Sequence, residues 1–142
     1  MMDFRRRQLE ERVLADRHPQ NSYFFRDMDT PYPYLEMAVR TNNGKLYTIR
    51  IELQDFPTSI PKVFVKKMLY TKDGERMDSV SASMHTLESE NGYTRICHYG
   101  YDSWTPNVSL HKVYIKCAWW LNIYELHLRT GKPMDYYFKH QD

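Results

Sequence analysis

The stretch Arg95-Ile96-Cys97-His98-Tyr99-Gly100-Tyr101-Asp102-Ser103-Trp104-Thr105-Pro106 decides how this chain reads. Tyr93-Thr94-Arg95-Ile96 is strand-like and ends at a cysteine, while Gly100 and the polar pair Asp102-Ser103 say that the chain then leaves the sheet. A thiol at such a junction is placed as a nucleophile able to hold an acyl group as a thioester. A thiol inside a strand is a small apolar filler, and Ile96-Cys97 at the end of a buried strand also fits that description. Which of the two Cys97 is decides the function.

Downstream of the turn, residues 109–129 predict a long helix. Thr105-Pro106 and Ser109 supply start signals, and Leu110, Val113, Tyr114, Cys117, Leu121, Tyr124 and Leu128 recur at steps of three and four. Ile115, Trp119, Ile123 and Leu126 lie off that stripe, so a second surface must meet this helix, from its own fold or from a partner. Thr130-Gly131-Lys132-Pro133 stops it, and the last nine residues read as a Tyr-rich tail.

Upstream lies a series of strands. Leu35 to Arg40 and Leu46 to Leu53 flank Thr41-Asn42-Asn43-Gly44-Lys45, a hairpin signal. The alternation in the second run turns Tyr47, Ile49, Ile51 and Leu53 to the core. Tyr23-Phe24-Phe25 and Lys62-Val63-Phe64-Val65 add two more strands. A proline-bounded loop spans 55–61, Asp73-Gly74 marks a turn or insertion, and Asn91-Gly92 turns the chain before the cysteine. Residues 3–17 predict a helix with a thin stripe of Leu9, Val13 and Leu14, ended by His18-Pro19. The fold class is α+β: an N-terminal helix, a four-stranded antiparallel meander, a cysteine-bearing loop and a long C-terminal helix.

At 142 residues the chain forms one domain, 1–142. A net charge of +2 excludes neither fold nor activity, but it argues against a nucleic-acid or membrane partner; the local run Arg5-Arg6-Arg7 is the single basic bias. Two cysteines far apart make no disulfide framework, and no CxxC pair suggests zinc. With no secretory signal and no long apolar run, a reducing cytoplasm is the expected location.

These pieces resemble the ubiquitin-conjugating (UBC) family. Asp55-Phe56-Pro57-x-x-x-Pro61-Lys62-Val63 is similar to its Tyr-Pro-x-x-x-Pro segment. His85-Thr86-Leu87 stands where the family has His-Pro-Asn, with a hairpin two residues longer before the cysteine. Cys97 matches the thioester cysteine, and Trp104-Thr105-Pro106 matches Trp-Ser-Pro, one residue nearer the cysteine than usual. The resemblance covers roughly residues 3–128, with a core of about 22–130. It implies a UBC-like fold lacking the family's usual last two helices, and a transferase that takes a protein C-terminal glycine as a thioester on Cys97 and passes it to an amine. The compact bacterial relatives in anti-phage operons of the CBASS type are the nearest in kind. There the donor would be the C-terminal tail of a cGAS-like nucleotidyltransferase in place of a ubiquitin-like protein. An activating enzyme would meet the N-terminal helix at Arg5–Arg7. No cofactor and no metal are implied.

The family's oxyanion-stabilising Asn is Leu87 here, which cannot donate a hydrogen bond. Loss of one such donor slows acyl transfer about a hundredfold or more. The alternative is therefore a catalytically inactive UBC-fold binding module. Around Cys97 the candidate chemical groups are His98, as a base that reaches the sulfur if the loop bends, and Asp102, to polarise an incoming lysine; Tyr99 and Asn107 stand nearby. By the resemblance, the His85 ring would bond backbone near the thiol loop. Trp104 packs under the loop, and Cys117 is inert core.

Overall fold

In a computed structural model, which describes residues 2–139, the chain is α+β: an N-terminal helix, a six-stranded antiparallel sheet and a C-terminal helix. Helix α1 (Phe4–Arg17) begins at Asp3, whose side chain accepts the Arg6 N–H as an N-cap. A 3-10 turn at Gln20–Ser22 leads into β1 (Tyr23–Arg26), β2 (Tyr34–Arg40), β3 (Leu46–Glu52) and β4 (Val63–Val65), a meander of consecutive antiparallel neighbours.

The expected four strands of the meander are thus present, the strand-like run 93–96 is a further strand, and one more extends the sheet. β5 (Thr86–Glu90) and β6 (Tyr93–Ile96) form a hairpin over Asn91-Gly92, both with left-handed φ, 54° and 77°. That backbone fits the twist of a tight hairpin. β6, not β5, pairs with β4, so the sheet order is β1-β2-β3-β4-β6-β5. The burial pattern explains the choice: Thr94 and Ile96 of β6 are buried and continue the core face, whereas β5 carries exposed Glu88 and sits at the edge.

Helix α2 (Leu110–Thr130) lies over the core face. Ser109 caps it by accepting the Lys112 N–H, and Gly131, at φ 80°, closes it in the left-handed conformation that a side chain would strain. Tyr47, Ile49, Ile51 and Leu53 are all buried, as the alternation predicts, with Leu110, Val113, Cys117, Trp120, Leu121 and Tyr124 opposite them. The second face of α2 is met in part by the protein itself: Ile123 is buried, while Trp119 keeps an exposed edge. Residues 134–139, expected as tail, form a short helix α3 (Met134–Lys139): Met134 is fully buried and Phe138 packs edge-on against Trp119. Ile115 stays exposed.

The apolar stripe expected on α1 is corrected. Leu9 is 51% exposed, and the inward face is Arg6, Glu10 and Leu14. Glu10 is buried because it has partners: one carboxylate oxygen accepts the Leu110 N–H (2.8 Å) at the start of α2, and the other pairs with Arg6 (2.8 Å). Arg6 also donates to the carbonyls of Pro106 and Val108 and lies over the Phe56 ring. The N-terminal helix therefore pins the segment that joins the cysteine loop to α2. Among the described residues no helix is long and apolar enough to cross a membrane.

Candidate functional site

Cys97 is the first residue after β6 and is half-buried. Its backbone N–H donates to the His85 carbonyl (3.0 Å), and the same carbonyl accepts the Trp120 indole N–H (2.8 Å) from α2. His85 adopts a left-handed φ of 53° at the entry to β5. One backbone oxygen thus ties the thiol's strand end to both the edge hairpin and the long helix.

The side chain of His85 points elsewhere. Its Nε2 bonds the Asp135 carboxylate (2.8 Å), and its ring lies against Phe138, centroids 4.2 Å apart and planes tilted by 37°. The expectation that this ring bonds backbone near the thiol loop is overturned: α3 offers a carboxylate and an aromatic face, and the loop is held by the His85 carbonyl instead. The His85 and Lys139 contacts hold the Asp135 carboxyl below its usual range.

Beyond Cys97 the loop is fastened to the proline-bounded segment 55–61. His98 Nε2–H donates to the Pro61 carbonyl (2.9 Å), and the Trp104 indole N–H donates to the Pro57 carbonyl (3.1 Å). Tyr99 packs edge-on between His98 and Trp104, with the Lys116 ammonium of α2 over its face. Trp104 also meets Phe56. The intervening turn closes on itself, Ser103 and Trp104 N–H groups both reaching the Gly100 carbonyl. Asp102 is exposed at this turn, outside the loop's hydrogen-bond set, and Asn107 is likewise exposed.

The electrostatics separate the two thiols and define His98. Burial pushes the Cys97 thiol up, and the neighbouring Arg95 guanidinium partly opposes that. Cys117 is completely enclosed in α2's inner face and pushed up much further by burial alone. Burial lowers His98 to about 4; the Pro61 bond works in the opposite direction, and the Arg95 and Lys116 charges reinforce burial. Its ring is neutral at pH 7, with the proton on Nε2 and the lone pair on Nδ1. A group with so low a pKa is a weak base at neutral pH.

The pieces scattered over the sequence, 55–63, His85, Cys97 and Trp104, are joined by direct hydrogen bonds. Sequence reasoning missed three participants. Arg95 stands two residues before Cys97, so the period of a strand puts both on one face; that signal was present. Lys116 over Tyr99, and the Arg6–Glu10 pair behind the loop, had no local signal. Among the described residues no group of three or more His, Cys, Asp or Glu could hold a metal ion. No protein-family model matches the chain, and neither a curated protein nor a solved structure matches it.

Proposed function

We propose that the chain is a ubiquitin-conjugating-like acyltransferase. Cys97 accepts the C-terminal glycine of a partner protein as a thioester and passes it to an amine acceptor. The reading extends to the cytoplasm of a bacterium and to anti-phage defence, with a cGAS-like nucleotidyltransferase as donor. One observation carries it. The four sequence pieces of the UBC resemblance converge on a half-exposed thiol whose loop is tied down while its sulfur is uncommitted. An N-terminal helix, a meander, a hairpin and a long helix in that order are compatible with a UBC-like fold.

Expression with the genomic neighbours, followed by intact mass and a non-reducing gel, tests the proposal. Wild type should carry a thiol-labile adduct whose mass names the donor, Cys97→Ser a thiol-stable oxyester, and Cys97→Ala nothing. An adduct that persists on Cys97→Ala would sink it. The activating-enzyme contact through α1 is tested best at Arg5 and Arg7, because Arg6 is consumed inside the fold. Arg5→Glu with Arg7→Glu should slow charging.

A second reading, an inactive binding module of the same fold, draws support from Leu87 and from the upward push on the Cys97 thiol. Absence of any adduct with every neighbour present would favour it.

A further inference from the structure

The position that should supply an oxyanion donor, Leu87, is not isolated in the sheet. Its cross-strand partner on β6 is Arg95. Paired residues in adjacent strands point to the same face, and the strand period puts Cys97 on that face as well, two residues on. On its other side Arg95 pairs with Phe64 of β4. Phe64 is buried although it lies on the face away from the helices, between the cross-strand neighbours Arg50 and Arg95.

Two side-chain atoms at this loop are sealed from solvent and lack any partner: Arg95 Nε, a donor, and His98 Nδ1, an acceptor. They belong to residues on either side of Cys97 in the chain. Buried polar atoms are almost always paired, so two without a partner beside one thiol single this loop out. Arg95 also lines a cleft of about 110 Å³ with Glu52, Asp55, Pro61 and Lys62. Of the charged groups in that cleft, Glu52 pairs with Arg50 and Lys62 with Glu90, while Asp55 is exposed.

We propose that Arg95 is an electrostatic catalytic residue of acyl transfer at Cys97, stabilising the oxyanion in place of the amide missing at Leu87. The inference rests on the acyltransferase reading. In charging, the Cys97 thiolate attacks a carboxyl terminus activated as an adenylate or thioester, and AMP or a thiolate leaves. In transfer, a neutral amine attacks the thioester carbon and the carbonyl π pair moves onto oxygen, beside the guanidinium. Collapse re-forms the carbonyl and breaks the C–S bond with its electron pair on Sγ; the surplus amine proton goes to solvent. Arginine suits this role because it is always charged and presents several N–H groups in a fixed fork. The downward pull of Arg95 on the thiol agrees with that placement.

The test uses the full chain charged with a glycine-terminated peptide thioester of mercaptoethanesulfonate. Adduct formation on Cys97 is read by intact mass, and its decay by free lysine under single-turnover conditions. Arg95→Gln and Arg95→Met, the latter keeping an apolar stem over Phe64, should each slow decay about a hundredfold, the usual effect of one lost oxyanion donor. Both should move the pH profile of iodoacetamide alkylation of Cys97 upward. Leu87→Asn added to Arg95→Met, which leaves no donor, should recover about a hundredfold, whereas a variant slowed only by a disturbed fold would not regain rate from the added amide. Decay at the wild-type rate in either folded variant overturns the role of Arg95 and leaves acyl transfer standing. Wild type that forms no thioester at all sinks the acyltransferase reading and this inference with it.

Discussion

Replacing Glu10 tests whether the N-terminal helix really anchors the loop that leads from the thiol to α2. Its carboxylate is buried and accepts the first N–H of α2 with one oxygen while pairing with Arg6 through the other. A hydrogen bond to a charged group contributes about 1.5–3 kcal/mol. A negative charge at a helix N-terminus adds about 0.3–1 kcal/mol. Glu10→Ala removes both, and leaves Arg6, itself only 20% exposed, with just its two carbonyl partners. The expected loss is about 3 kcal/mol. With an m-value of about 2 kcal/mol/M, the urea midpoint should fall by about 1.5 M at unchanged slope. Glu10→Gln keeps an acceptor for Leu110 but no charge, and should fall in between, at about 1–2 kcal/mol. Unfolding by far-UV circular dichroism decides the matter. A loss below about 0.5 kcal/mol for Glu10→Ala, the range of an ordinary surface change, would refute the anchoring argument, as would Glu10→Gln proving worse than Glu10→Ala.

The two thiols should separate cleanly: a disulfide reagent should modify Cys97 in the native protein, more slowly than a free cysteine peptide, and reach Cys117 only on unfolding; equal native rates would contradict the burial of Cys117. Stability should decline as pH falls from 6.5 to 5, because His98, His18 and His111 all lie below the ordinary histidine value of 6.5 in the folded chain and the unfolded chain takes up more protons there. The sign is that of a depressed folded pKa: the contribution is complete above 6.5 and is lost on acidification. With His98 at about 4 its share of that decline is about 2 kcal/mol, which His98→Gln should remove from the pH dependence of the urea midpoint; an identical pH dependence in the variant would be the contrary result. Tyr47→Phe should cost about 1–3 kcal/mol, since it strips a donor (2.9 Å) from buried Glu125 and leaves Asn43 as its hydrogen-bond partner; a thermal melt within error of wild type would speak against it.

Hydropathy read the sheet faces well and the contacts between elements poorly. The alternation in 47–53 is a property of one strand, and all four of its inward residues are buried. Strand order is not local: the polar run Glu88-Ser89-Glu90 marks β5 as an edge, but only the fold shows that β6 meets β4. Apolar periodicity does not show the inward face of α1, because the helix turns inward to satisfy orphan groups, the Leu110 N–H and the carbonyls of Pro106 and Val108. The helix 134–139 is legible in the sequence. Pro133 precedes it, Met134 and Phe138 stand four apart on one face, and Asp135 pairs with Lys139 across one turn. Of the candidate site, Cys97 and Trp104 were marked by motif, while the His85 ring was assigned to the thiol loop because the partner that captures it, Asp135, lay in a segment read as tail.

The hydrogen bonds that tie Cys97, His98 and Trp104 to neighbouring segments run in one sense, and this bears on what the loop is for. Cys97 N–H, the His98 imidazole and the Trp104 indole are donors, and the acceptors are backbone carbonyls of His85, Pro61 and Pro57, which belong to neighbouring segments. The loop is thus held in place without using the cysteine side chain, and among the described residues no hydrogen bond engages Sγ. Burial explains Cys117, whose sulfur fills the core; it does not explain a half-exposed thiol held on a fixed backbone beside an arginine with a free N–H. A buried donor left unpaired, as Arg95 Nε is, costs a folded protein about 1–3 kcal/mol. Acyl transfer has a use for an unpaired donor, because the oxyanion exists only during reaction and its stabilising group must wait for it. Leu87→Asn in the otherwise wild-type chain tests the part given to Arg95. If Arg95 already serves the oxyanion, the added amide should raise the lysine reaction rate less than about tenfold, against about a hundredfold or more where no donor is present. A full hundredfold gain would mean that the site had been waiting for its asparagine and that Arg95 plays no part in the chemistry.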